Sequence, residues 1–275
     1  MTRPARLWRT ENWADFLPTT LGYSSPPVDL YAVARHRCIK RLGLRFMIPR
    51  GVLMPVEGGF EVYLRDSCRK DVDISAPEVE DGLSARQRFS LAHEIAHTFF
   101  YKLSDSIPVP QAVSNELELE KTCDRTAGHI LIPTNLLKRE IGDYQRIDAS
   151  LVRSIAYKFR TSLTVAIERL TMAEPANPIE RCILLVRRVN GDGQIRAVYF
   201  GVGMFRTLPQ PRRYARLTEW MPDFPLRLID KEGALDWTTS RVGRSLKFER
   251  TELESGNDFL LQVEVLPSAT SAMVA

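Results

Sequence analysis

The sequence has no Cys-x-x-C pair, no apolar run approaching the about 18 residues that would span a bilayer, and little excess charge of either sign. Each absence excludes a class. The four cysteines, Cys38, Cys68, Cys123 and Cys182, are scattered, which is neither a secreted disulfide framework nor a Cys-rich zinc site. Residues Met1 to Trp13 carry Arg3, Arg6, Arg9 and Glu11 with no apolar stretch behind them, so no export signal or membrane anchor is expected and the cytoplasm is the expected location. Thirty-eight basic residues against 34 acidic ones give +4 at pH 7, with no basic arm of the kind that grips nucleic acid. What remains is ordinary globular composition: 44% hydrophobic residues over 275 positions suffice for one large domain or two small ones.

Local signals predict an α+β chain. Val28 to Leu42 reads as a loosely amphipathic opening helix, and Gly58-Gly59 as the turn of a hairpin joining Val52–Met54 to Phe60–Leu64 in a small sheet. Ser84 and Gln87 stand at capping-box spacing, so a helix is expected from there to about Tyr101. Asn115 and Glu118 repeat the spacing and open a helix that should stop near Pro133, and Thr134 can cap a short one to Ile141. Leu151, Ile155 and Phe159 form one helical stripe and Leu163, Ala166, Ile167 and Leu170 another, joined at Thr161-Ser162: a pair of helix-turn-helix length. Beyond the linker-like Ala173–Pro178, runs at Cys182–Val186, Ile195–Val202, Leu226–Ile229 and Phe259–Val265 read as strands, with a hairpin loop at Asn190–Gly193. The expected division is therefore 26–145, a helical segment 146–173, and a β-rich domain 179–266.

The chemistry lies in His93-Glu94-Ile95-Ala96-His97. In a helix the two histidines sit one turn apart on one face, where both imidazoles can reach a single Zn²⁺. Glu94 can then approach the water from the side as a general base, since a metal there brings that water's pKa towards about 7. A chain of this composition contains such a motif by accident roughly 0.004 times. Phe89, Ala92, Ala96 and Phe99 recur at helical spacing and form the expected buried face. A third ligand is required, and Glu116, Glu120 and Asp124 share one face of the next helix; one of them can ligate while a neighbour orients a histidine, with Glu120 and Asp124 the preferred pair. Tyr101 continues the histidine stripe and is a candidate oxyanion stabiliser.

Arg88-Phe-Ser-Leu-Ala-His-Glu-Ile-Ala-His97, followed by Glu120-Lys-Thr-Cys-Asp-Arg-Thr-Ala-Gly-His-Ile-Leu-Ile-Pro133, resembles the two ordered motifs of the ImmA/IrrE metallopeptidases. Pro27–Leu30, Ala32–Ala34, Ile155-Ala156, Phe159, Ser162 and Arg169-Leu170 resemble the family's flanking helices. The similarity implies a zincin-like fold, His93, His97 and Glu120 as metal ligands, Glu94 as catalytic base and Asp124 beside the ligands. It implies a zinc endopeptidase (Mn²⁺ or Fe²⁺ would also suit two histidines and a carboxylate). The implied partner is a cytoplasmic helix-turn-helix repressor of the XRE type, whose cleavage derepresses stress-response, such as DNA-damage, or mobile-element genes. The overall length resembles the IrrE-like subset with a GAF-like C-terminal domain. Cys123 and Thr126 depart from the Ala and Phe of the second motif, and His129 lies at a variable position.

A competing expectation is a regulator that binds a repressor or DNA through 148–172 and cuts nothing. Its second helix would present Thr164, Glu168 and Arg169, a poor surface for reading bases, so direct DNA binding is not expected.

Overall fold

The computed structural model describes residues 13–16, 20–65, 71–72, 82–103, 106–113, 115–142, 147–173, 181–200, 210–222, 224, 233–238, 245–253 and 258–265. These form a mixed α+β structure in two compact units, Met1–Glu140 with Ala156–Ser162, and Ile141–Ile155 with Leu163–Ala275.

The first unit opens with α1 (Leu30–His36), whose Asp29 carboxylate caps the amides of Tyr31 and Ala32. The expected opening helix to Leu42 is cut short. Cys38 takes a left-handed φ of 59°, and the chain continues as β1 (Ile39–Arg45). Buried Ile39 and Leu42, separated by exposed Lys40 and Arg41 where the pairing register shifts, belong to this strand rather than to the helix. Then come β2 (Gly51–Val56), β3 (Gly59–Arg65) and the short β4 (Asp71–Val72). The sheet order is β2-β3-β1-β4, with β1 and β3 parallel and the other pairs antiparallel, which leaves β2 as an edge strand. Pro55 is tolerated there because an edge position need not donate to a neighbour on both sides. The hairpin turn falls at Gly58, whose φ of 66° suits glycine.

Helix α2 (Ala85–His97) starts at a complete capping box, the Ser84 hydroxyl accepting from the Gln87 amide and the Gln87 side chain accepting from the Ser84 amide. It ends in a 3-10 turn, Thr98–Phe100, before the two-residue strands β5 (Tyr101–Lys102) and β6 (Val109–Pro110). Helices α3 (Glu116–Leu131) and α4 (Thr134–Gly142) follow, with α3 against α2. Both contribute small buried residues, Ala92 and Ala96 from one and Cys123 and Ala127 from the other, which let the helix backbones approach. The buried side of α2 is carried by Arg88, Leu91, Ala92, Ile95 and Ala96; Phe89 and Phe99 are only half-buried, so the expected apolar face is rotated.

Helix α5 (Ala149–Lys158) has its start in the second unit and its end in the first, and α6 (Leu163–Ala173) lies in the second. Arg169, read from sequence as exposed, is buried, and exposed Glu168 pairs with Arg213 at 2.9 Å. The second unit is otherwise an antiparallel sheet of β7 (Arg181–Val189), β8 (Asp192–Phe200), β9 (Gly233–Thr238), β10 (Ser245–Glu252) and β11 (Asp258–Val265), in the order β8-β7-β11-β10-β9. A one-turn helix α7 (Leu217–Trp220) joins its core, which includes Leu184, Val186, Ile195, Leu217, Phe248, Phe259 and Leu261. The β7–β8 turn at Asn190-Gly191 has φ of 52° and 74°, as a two-residue hairpin requires. The expected strand Leu226–Ile229 lies outside the described residues.

Candidate metal centre

Both ends of α2 are anchored. Buried Arg88 donates from Nη2 to the Val28 carbonyl at 2.9 Å. At the other end Arg37 donates from Nε to Thr98 Oγ1 at 3.0 Å and lies 4.0 Å from the centre of the Phe99 ring. The helix therefore presents His93 and His97 in fixed register, one turn apart, to the first turns of α3.

Across that gap His93 Nε2 and His97 Nε2 stand 3.0 Å apart. Glu120 completes the triangle, with Oε2 3.2 Å from His93 Nε2 and Oε1 3.4 Å from His97 Nε2. Tetrahedral bonds of about 2.05 Å to one zinc place neighbouring ligand atoms about 3.3 Å apart, so this donor set fits such an ion. His93, His97 and Glu120 can thus hold a metal.

Asp124 Oδ1 lies 2.9 Å from His93 Nδ1. A carboxylate accepts, so Nδ1 carries the proton and Nε2 keeps its lone pair for the shared position. Burial disfavours the His93 imidazolium more than any other single influence, but the Asp124 hydrogen bond and the negative charges of Asp124, Glu94 and Glu120 together outweigh it, and the pKa lies above the ordinary value. His97 goes the other way, lowered by burial and by the neighbouring His93. Glu94 lies beside the triangle, its carboxyl pushed up to about 7 by burial, with His93 and the Leu53 backbone amide opposing that rise.

These groups line a cleft of about 500 Å³ together with Arg50, Gly51, Val52, Phe89 and Ser90. The contribution of β2 was not expected from the sequence, where Val52–Met54 served only as one arm of a hairpin, and Phe89 was expected on the buried face of its helix. Glu116 is exposed at the start of α3 and is not part of the triangle. Tyr101 leaves the histidine stripe because the helix gives way to the 3-10 turn at Thr98; its ring sits edge-on to Phe60 at 5.2 Å, and it is not among the described residues lining the cleft. Cys123 is fully buried and its thiol is pushed up by burial and then by Glu120, which marks it as an inert packing residue. Buried His129 lies 3.3 Å from Asp15 and has no place in the cleft.

The family model of the IrrE N-terminal-like domain, a peptidase family, matches residues 83–171. No curated protein sequence matches the chain. Among solved structures, a Mycobacterium tuberculosis transcriptional regulator is similar in fold, with a TM-score of 0.51 and 14% identity over 98% of this chain and 80% of that one. The helices that bring His93, His97 and Glu120 together lie within the matched stretch, so the triangle falls inside the region that is similar to the IrrE N-terminal-like domain.

Proposed function

We propose that this chain is a zinc-dependent endopeptidase of zincin-like fold that cleaves a helix-turn-helix repressor of the XRE type in the cytoplasm, derepressing stress-response or mobile-element genes. The observation that carries the reading is the buried Glu94 carboxyl next to a triangle of two histidines and a carboxylate, within a stretch matched by a peptidase family model. A metal held by His93, His97 and Glu120 would supply Lewis acidity to the scissile carbonyl and to the attacking water.

The protein's own groups do the rest. Glu94, in the cleft beside the triangle, takes a proton from the attacking water and returns it to the leaving amine. Asp124 keeps His93 in one tautomer, and Arg50, Val52 and Phe89 form the cleft walls between which a peptide must lie. The likeness to a protein named as a transcriptional regulator supports a role in transcription control. The antiparallel sheet of the second unit supports the GAF-like reading of that region. Direct DNA reading through α6 is disfavoured, since Arg169 is buried and Glu168 is paired with Arg213.

The test is a comparison of new protein N-termini in cells expressing wild type and Glu94→Gln, before and after DNA damage. A repressor fragment that disappears with Glu94→Gln is the expected result. Identical N-termini from both, with metal retained by both, would leave the competing reading: a protein that sequesters its partner without cutting it.

A further inference from the structure

We propose that Gly51 is a positioning residue for Glu94: the side chain it lacks is the space in which the Glu94 carboxylate is held against β2. The inference rests on the reading of Glu94 as the base. Glycine is not required at this position by the backbone, because Gly51 is not among the residues with positive φ, unlike Gly58 seven residues on. An alanine would adopt the same extended strand, and glycine inside a strand gives up stability. Its benefit must therefore be room.

A Cβ built on Gly51 would lie 2.5 Å from Glu94 Oε1, 2.9 Å from Cγ and 3.0 Å from Cδ. All three of these contacts are with one side chain. Two residues along β2, and so on the same edge of the strand, the Leu53 amide donates to that carboxylate. The recess thus has a donor at one end and a gap at the other. When the gap is filled, the group that can move is the end of the Glu94 side chain, because α2 is held by its capping box and by the Arg88 and Arg37 anchors. A methyl group at position 51 should evict the base while leaving the helix, and with it His93, His97 and Glu120, in place.

The experiment is a double-mutant cycle on the metal-free full chain: thermal midpoints of wild type, Gly51→Ala, Glu94→Ala and the double variant. Gly51→Ala should lower the midpoint in wild type and raise it in the Glu94→Ala background, where the methyl group fills vacated space and glycine's extra unfolded-state freedom is lost. An equal shift in both backgrounds overturns the inference. Alongside, zinc affinity by chelator competition should be unchanged in Gly51→Ala. Turnover of a peptide spanning the cleavage site should fall about 100-fold in kcat with KM held, the scale of an ångström-sized misplacement. A merely structural glycine would not give that split. If Glu94→Gln abolishes turnover and Gly51→Ala retains it, the positioning role fails and the base stands. If Glu94→Gln retains turnover, the reading of Glu94 as base fails and takes the positioning role with it; the melting cycle still decides whether the recess exists.

Discussion

At His93 a single hydrogen bond decides which ring nitrogen faces the shared position. Asp124, on α3, takes the Nδ1 proton, and the imidazole is thereby both oriented and made a better donor at Nε2. Removing that acceptor with Asp124→Ala should weaken metal binding about 10-fold to 100-fold, as loss of an outer partner of a ligating histidine does, while the three ligands remain; chelator competition reads it. Unchanged affinity would mean that the ring is held by the helix alone. That His93 and His97 share one helix face was legible in the sequence, because a one-turn repeat within a helix is local information, and so was the common face of Glu120 and Asp124. Gly51 was not legible: its relation to Glu94 exists only once a strand 43 positions earlier is laid beside α2.

Among the elements, α4 depends on a residue far from it in sequence. Its first residue, Thr134, donates its amide to Asp15 at 2.9 Å, and the same Asp15 oxygen lies 3.3 Å from His129 on α3. Burial alone would raise the Asp15 carboxyl, but the bonds from His129 and Thr134 outweigh it and hold the pKa below the ordinary carboxylate value. A carboxyl lowered in the folded state contributes stability that is full above its unfolded value of about 3.9 and is lost as pH falls through the folded one. Asp15→Ala should therefore cost about 1 kcal/mol at pH 7, the worth of a helix cap, and should flatten the loss of stability below about pH 4; urea melts across pH measure both. The capping boxes at Ser84 and Asn115 were visible because cap and helix are adjacent, whereas a cap supplied from Asp15 leaves no local signal. The opening helix was overextended for a related reason: apolar spacing over Val28–Leu42 does not reveal that Cys38 turns the chain into a strand.

Over the whole molecule, the mixed character of the chain could be read, but the second sheet could be read only in part. β10 buries Leu246, Phe248 and Arg250 on one face with Lys247 and Glu249 between them, so at Arg250, which lies 4.8 Å from the centre of the Phe259 ring, a charged residue takes an inward position. A buried arginine is indistinguishable in sequence from a surface one, so the strand went unread. No helix among the described residues is long and apolar enough to cross a membrane. The site comes entirely from the first unit, where two helices supply the three residues that could hold a metal and the edge strand forms a wall of the cleft. In the proposed mechanism labour is divided between residues one position apart: His93 would hold the metal and Glu94 would not. The most direct test is the metal content of the zinc-reconstituted full chain as Glu94→Gln and as Glu120→Ala, measured by elemental mass spectrometry after gel filtration. The expected result is a wild-type complement in Glu94→Gln and a clear loss in Glu120→Ala. Loss in Glu94→Gln with retention in Glu120→Ala would contradict this division of roles.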